Sequence, residues 1–281
     1  MALTGIVGCG KTTTLIAIKE ELARDKEILV SKSLSVEKGK VNLGTLILAL
    51  FYDLVTEKDF KIPTQPERRE RALQALIKKR QKPIALFIDE SHDLHSKTLV
   101  GLKRLIEVVR EGDGVLSVIL AGKPKLRNDL RRPAMEEIGS RTTILTHEGI
   151  QGQKTEFINW LLEKCLKKGI KRADVITDEA LAQLAERLTT PLQIEQHLRL
   201  AFDEAYRIGQ KPVENEIIDA VLAKDINAIE PQLTRHGYNT KVLAELLDTK
   251  PAEIRSFLHG NLTPTRSQEI QNSLLAIGIP L

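Results

Sequence analysis

The sequence predicts an α/β fold in which a doubly wound parallel sheet is followed by an all-helical domain and a small helical module. Over residues 1–150, short aliphatic segments alternate with amphipathic segments of helical period, which is typical of a parallel sheet covered by helices. Beyond this range the strand-like segments end and helical patterns continue alone. A glycine-rich loop also joins the first predicted strand to the first predicted helix. We therefore expect domains at 1–150, 151–230 and 231–281.

The first domain contains five β-rich segments, and several of them are near-continuous aliphatic runs typical of strands buried in a parallel sheet. They are Met1–Leu3, Glu27–Ser33, Ile84–Ile88, Val115–Leu120 and Thr142–Thr146. Helices are predicted between them at Lys11–Arg24, Asn42–Thr56, Pro66–Arg80, Lys97–Arg110 and, more briefly, Arg127–Glu136. The second domain has predicted helices at Lys154–Lys168, Thr177–Leu188, Leu192–Ile208 and Glu214–Ile229. Phe157 and Trp160 lie at helical spacing, and we expect both in the core of this domain.

Composition excludes several classes of protein. The 281 residues are 42% hydrophobic and 28% charged, as expected of a globular protein and not of a disordered or collagen-like chain. Two cysteines fit a reducing compartment without a disulfide framework, so we expect a cytoplasmic protein. No apolar stretch reaches the length of a membrane span. The net charge of +4 is mild, although residues 1–150 hold 26 basic and 20 acidic side chains.

The loop Gly5–Thr12 matches the pattern GxxxxGK[ST] between a strand and a helix. Glycines allow a tight turn whose backbone N–H groups converge on phosphate oxygens, and the helix N-terminus adds positive potential. Lys11 is expected to reach the β- and γ-phosphates of a nucleotide, and the Thr12 hydroxyl to bind Mg²⁺. The predicted nucleotide ligands are Gly5, Gly8, Cys9, Gly10, Lys11, Thr12 and Thr13.

Two carboxylates follow the apolar strand Ile84–Ile88. Asp89 is expected to hold Mg²⁺, and Glu90 to activate the water that attacks the γ-phosphate. The alternatives are a helix N-cap for Asp89 and an ordinary surface charge for Glu90. His92 and His95 flank this pair without a convincing set of metal ligands, so we expect both on the surface.

With these motifs the chain resembles an AAA+ ATPase over residues 1–230. The segments IDESHDL and VILAGKPKLRNDL are similar to those of the ExeA and transposition-ATPase branch, which includes the MuB, TniB and TnsC types. The resemblance implies ATP and Mg²⁺ as ligands, and a homo-oligomer that forms a ring or filament. For the transposition members it also implies duplex DNA and a transposase as partners.

The resemblance assigns two further catalytic positions. Lys123 occupies the first-sensor position after the fourth strand, where an uncharged polar residue is more usual; the alternative is a loop-surface lysine. Arg141 matches the arginine that members present to the γ-phosphate of a neighbouring subunit, since a planar cation can bind two phosphate oxygens. The alternative for Arg141 is a surface ion pair. Arg131 and Arg132 are then the next candidates for the arginine that contacts the neighbouring γ-phosphate.

The sequence departs from the family at two places. The turn that normally supplies a second-sensor arginine reads Thr189–Gln193 without an arginine, and Arg199 lies about two helical turns further along. The chain also begins at its phosphate loop, without the helical segment that members pack against the adenine. This predicts a fragment or a mis-assigned start.

The segment 240–260 resembles the helix-turn-helix of phage repressors. An apolar seam joins two short predicted helices through Leu243, Leu247, Ile254, Phe257 and Leu258. Asp248 is expected at the turn, because Asp tolerates the left-handed conformation. The second helix would present Lys250, Ala252, Arg255 and Ser256 to DNA. The alternative is a helical hairpin used for protein contacts.

These observations predict an ATP-hydrolysing, DNA-binding regulator of transposition that assembles on DNA with ATP, marks a target and recruits a transposase. The alternatives are a secretion ATPase of the ExeA kind and a nucleotide-switched transcription regulator.

Overall fold

The computed structural model describes residues 1–32, 41–56, 60–222 and 228–281. The chain forms two compact units. The first comprises residues 1–5 and 11–147, and the second comprises residues 6–10 and 148–281.

The first unit is built on a five-stranded parallel sheet, which confirms the predicted α/β class. Its strands are β1 (Ala2–Thr4), β2 (Leu29–Lys32), β3 (Ile84–Ile88), β4 (Leu116–Gly122) and β5 (Ile144–Thr146), in the spatial order β2-β3-β4-β1-β5. Leu120 of β4 is in register with Ile88 of β3 and with Ala2 of β1. β4 therefore lies between the two strands that precede the phosphate loop and the acidic pair.

Helices cover both faces of this sheet. They are α1 (Lys11–Arg24), α2 (Leu43–Leu54), α3 (Pro66–Arg80), α4 (Ser96–Glu111), α5 (Lys125–Leu130) and α6 (Glu136–Gly139), with 3₁₀ turns at Ser91–Asp93 and Pro133–Met135. One hydrophobic cluster joins Leu15 of α1 to Phe87 of β3, and a larger one joins α2, α3 and α4 to the other face. All five residues of β3 are buried, which explains its uninterrupted apolar sequence.

Several element boundaries differ from the prediction. The helix expected over Arg127–Glu136 is divided into α5 and α6 because Pro133 lacks an N–H and holds Arg132 in an extended conformation. The second strand begins at Leu29 and not at the expected Glu27, and its predicted last residue, Ser33, lies outside the described residues.

The second unit is helical. It contains α7 (Lys154–Cys165), α8 (Asp178–Arg187), α9 (Pro191–Ile208) and α10 (Asn215–Val221), which share a core that includes Ile158, Leu184 and Ile194. The Thr190 side chain caps α9 in a capping box with Gln193. Trp160 is not a core residue as expected: it is 53% exposed and stacks on the partly buried Phe157. The predicted helix Glu214–Ile229 ends at Val221, and residues 223–227 lie outside the described part of the chain.

Four more helices complete this unit, α11 (Ile229–His236), α12 (Thr240–Leu246), α13 (Pro251–Leu258) and α14 (Pro264–Ala276). They have a core of their own, formed by the buried side chains of Leu243, Ile254 and Phe257 together with residues of α11 and α14. Asp248 between α12 and α13 has φ 47°, the left-handed conformation that the sequence predicts. Among the described residues, every helix is too short or too polar to cross a membrane.

Candidate ATP-binding site

The predicted catalytic segments meet at the carboxyl edge of the sheet. The phosphate loop follows β1, the acidic pair follows β3, and Lys123 follows β4 between them. The Gly5 backbone N–H donates a hydrogen bond to the Gly122 carbonyl oxygen at 3.1 Å, which fixes the start of the loop against the end of β4. Ligands of parallel α/β sheets bind at this edge.

The loop adopts a conformation that requires glycine. Gly8 and Gly10 have φ values of 80° and 107°. A Cβ atom at Gly8 would stand 2.8 Å from the Leu192 Cβ and 2.9 Å from the Thr190 Oγ1. The Leu192 backbone N–H also donates to the Gly8 carbonyl oxygen, at 3.4 Å. Gly8 is therefore fixed both by its own backbone conformation and by the start of α9.

The residues after the loop begin α1. Lys11 is 7% exposed, whereas Thr12 and Thr13 face solvent. Cys9 is also buried, and the backbone of Gly149 lies close to it. The ammonium of Lys11 and the N-terminus of a 14-residue helix together make this a favourable position for phosphate.

Thr12 and Asp89 form a direct contact where α1 begins. The Thr12 hydroxyl donates to the Asp89 Oδ2 at 2.9 Å, and the Asp89 Oδ1 accepts the backbone N–H of Glu90 at 2.8 Å. The alternative that Asp89 is a helix N-cap is wrong, because Glu90 occupies the N-cap position of the 3₁₀ turn. No side chain makes a capping hydrogen bond to this turn. A hydroxyl and a carboxylate oxygen are the hard ligands that Mg²⁺ prefers, so these two residues fit the ion.

Glu90 has an unusual backbone conformation. Its φ of 51° and ψ of 32° lie in the left-handed region, which a non-glycine residue rarely adopts away from turns or functional sites. Its side chain is 53% exposed. The carboxylate therefore remains accessible to water beside the Thr12–Asp89 contact.

His92 is buried, so the expectation of a surface residue was wrong, while His95 is exposed as expected. The 3₁₀ turn directs the His92 ring back towards β4, where its Nδ1 accepts the Lys123 backbone N–H at 3.4 Å. Burial lowers the pKa of His92 to about 4; Asp93 opposes the shift, and Lys123, Lys11 and Lys125 reinforce it. The imidazole is therefore neutral near pH 7.

The predicted arginines lie in different surroundings. Arg141 is exposed in the segment before β5, at the amino edge of the sheet, and lines a cavity of about 480 Å³. It has no ion-pair partner among the residues that the structure describes, unlike Arg132, whose guanidinium lies 3.2 Å from Asp129. Arg131 and Arg199 are exposed, and Lys123 is partly buried.

The predicted DNA-contacting residues lie on or next to α13. Lys250 precedes the helix, and Ala252 and Arg255 are exposed along it, whereas Ser256 is partly buried. Glu253 on the same helix forms an ion pair with Arg266 of α14 at 2.6 Å. The helix thus presents a small surface of mixed charge.

Comparison with known proteins supports this description. Residues 1–130 match a protein family described as an AAA domain, AAA_22. General secretion pathway protein A from Aeromonas hydrophila is 26% identical over 152 residues, which are 52% of this chain and 26% of that protein. The chain thus spans about a quarter of the length of this curated relative.

Solved structures with a similar fold cover nearly the whole chain. The Aeropyrum pernix ORC2 protein, in ADPNP–ADP complexes, is 15% identical with a TM-score of 0.55, over 99% of this chain and 79% of that one. The Thermotoga maritima RuvB Holliday junction branch migration motor is 18% identical with a TM-score of 0.52 and the same coverage. The Aeropyrum pernix ORC1 protein in complex with DNA is 15% identical with a TM-score of 0.53, over 99% and 77%. The strand order, the glycine loop and these similarities together show that the first unit has the P-loop fold of AAA+ ATPases.

Proposed function

We propose that this chain hydrolyses ATP and, with ATP bound, assembles on duplex DNA as a cytoplasmic regulator of transposition. The observation that carries the ATPase part is the cluster of Thr12, Asp89 and Glu90 beside the glycine loop. It combines phosphate-binding backbone groups, oxygen ligands and an exposed carboxylate at one edge of the sheet.

Each residue of the cluster has a distinct role in hydrolysis. Lys11 and the loop N–H groups bind the β- and γ-phosphates and neutralise the charge that develops during transfer. Glu90 orients the attacking water and accepts its proton. Thr12 and Asp89 would hold Mg²⁺, which when bound neutralises phosphate charge. Lys123 lies between the loop and the acidic pair, where a cation would stabilise the γ-phosphate oxygens.

The position of Arg141 supports the proposed assembly. This side chain lies at the amino edge of the sheet, whereas Lys11 and Glu90 lie at the carboxyl edge of the same unit. An arginine so placed can reach a γ-phosphate only on a second copy of the chain. The absence of an ion pair to Arg141 among the described residues leaves its guanidinium available for that contact.

DNA binding is supported by the C-terminal helices and by charge. Arg255 and Lys250 are exposed at α13, and residues 1–150 carry an excess of six positive charges. The transposition assignment rests on the resemblance of the segments around Asp89 and Lys123. A transposase is the partner that this assignment requires.

A second candidate function is a secretion ATPase of the ExeA kind. Its support is the 26% identity to General secretion pathway protein A, whose remaining length this chain does not match. Such an ATPase would not need ATP-dependent binding to random duplex DNA, so DNA binding separates the two proposals.

The test is binding of the whole chain to random-sequence duplex across a salt series, with and without a slowly hydrolysed ATP analogue. We expect binding that requires the analogue and weakens steeply with salt, together with oligomers on the DNA in electron micrographs. Lys11→Ala serves as the nucleotide-free control and should not bind. Equal and weak binding in all samples would reject the DNA-binding proposal and favour the secretion alternative.

A further inference from the structure

We propose that His92 is a positioning residue that orients the Glu90 carboxylate so that it can accept a proton from the attacking water, an inference that rests on the proposed ATP hydrolysis. The His92 side chain is only 3% exposed. Its Nε2 atom is buried and has no hydrogen-bond partner among the described residues. A buried polar atom of this kind is costly unless it acquires a partner, so its surroundings identify its role.

The groups that face this nitrogen are carboxylates. The Glu90 Oε2 and the Asp93 Oδ1 each lie 3.5 Å from the His92 Nε2, just beyond a well-formed hydrogen bond. Glu90 is 53% exposed, so a small rotation of its side chain brings one oxygen onto the ring. The second carboxylate oxygen then remains free to accept the proton of the attacking water.

The other ring nitrogen determines which tautomer is present. The His92 Nδ1 accepts the backbone N–H of Lys123 at 3.4 Å, and a neutral imidazole that accepts at Nδ1 carries its proton on Nε2. Nε2 is therefore a hydrogen-bond donor directed at carboxylates. Glu90, His92 and Asp93 could by distance hold a metal ion, but a metal needs a lone pair on Nε2. The tautomer favours donation to Glu90 over metal binding.

The contact also connects two parts of the site. Lys123 follows β4 at the first-sensor position, and its backbone holds the ring that faces Glu90. A displacement of the β4–α5 junction would move the Nε2–H group of His92 and, with it, the carboxylate of Glu90. His92 thus transmits the position of Lys123 to the group that activates water.

The kinetic test compares three variants of the whole chain. His92→Phe removes both ring nitrogens, whereas His92→Gln keeps an acceptor for Lys123 and a donor for Glu90. We expect His92→Phe to lower kcat about tenfold, the effect of losing one charge-assisted hydrogen bond, with an unchanged Kd for a fluorescent ATP analogue. His92→Gln should recover most of kcat. Asp93→Asn, the matched control at the same distance from Nε2, should change kcat far less.

A double-variant cycle tests whether His92 acts through Glu90. In a Glu90→Gln background, His92→Phe should have no further effect on the residual single-turnover rate. Wild-type turnover by Glu90→Gln alone would reject the proposed role of Glu90 in hydrolysis. A normal kcat in a folded His92→Phe protein, or no recovery by His92→Gln, would overturn the role of His92 and leave the role of Glu90 intact. An Asp93→Asn defect as large as that of His92→Phe would also overturn it.

The tautomer can be measured without activity. In two-bond ¹H–¹⁵N spectra of the chain labelled at histidine, the His92 signals, assigned by their loss in His92→Gln, should show a neutral ring protonated at Nε2 near pH 7. Protonation at Nδ1, or stoichiometric Zn²⁺ binding that His92→Gln abolishes, would contradict the proposal.

Discussion

The start of α9 lies close to Gly8 of the phosphate loop and leaves little room for a side chain there. We expect Gly8→Ala to destabilise the protein by roughly 2–5 kcal/mol. About 1–2 kcal/mol comes from placing a Cβ at φ 80°. A further 1–3 kcal/mol comes from contacts of 2.8 Å with the Leu192 Cβ and 2.9 Å with the Thr190 Oγ1, since packed side chains must shift to admit the methyl group.

Gly152→Ala is the matched control. Gly152 has φ 77°, and no atom lies within 4 Å of the position of its added Cβ, so this variant reports the backbone strain alone. Guanidinium unfolding of both variants gives the difference in midpoint at equal slope. Gly8→Ala should lose about 1–3 kcal/mol more than Gly152→Ala. Equal midpoints would refute the reasoning, because the packing of Gly8 against α9 would then have no energetic consequence.

Three further predictions concern assembly, DNA binding and the C-terminal core. Arg141→Ala should lose ATPase activity but keep the Kd for ATP, and mixing this variant with Lys11→Ala should restore part of the rate. If no mixture recovers activity although assembly is confirmed, Arg141 has a structural role only. Arg255→Ala should weaken DNA binding by about 1 kcal/mol in an equilibrium titration, whereas the exposed Lys241→Ala on α12 should have a smaller effect; equal effects would argue against α13 as the DNA contact. Phe257→Ala should destabilise the C-terminal helices by about 3–5 kcal/mol in thermal unfolding, because this side chain is 3% exposed; an unchanged transition would contradict the assigned core.

Sequence reasoning was most successful where one local signal determines the structure. The uninterrupted run Ile84–Ile88 gives β3 with the predicted bounds, because a strand buried on both faces tolerates no polar residue. Asp248 was predicted in the left-handed conformation because few side chains accept it between two short helices. The loop and the acidic pair were predicted from residue types at fixed spacing, and the structure places them after neighbouring strands at the carboxyl edge of the sheet.

The burial of His92 was missed because it depends on a contact distant in sequence. His92 is buried because the turn after β3 directs it onto the Gly122–Lys123 junction, 30 residues further along, and no local pattern reports that contact. Trp160 was expected in the core from its spacing, but it is 53% exposed and stacks on Phe157, three residues earlier on the same helix. By contrast, Pro133 is a local signal for the division of α5 from α6, because proline interrupts a helix even where the hydrophobic period continues.

The central claim is that this chain hydrolyses ATP with Lys11 as the phosphate ligand and Glu90 as the group that activates water. The most direct measurement is steady-state phosphate release by the wild-type chain, Lys11→Ala and Glu90→Gln, alongside the Kd of each for a fluorescent ATP analogue. We predict turnover by the wild type, loss of binding in Lys11→Ala, and retained binding with a rate lowered at least 100-fold in Glu90→Gln. Wild-type turnover by Glu90→Gln, or undiminished nucleotide binding by Lys11→Ala, would contradict the account.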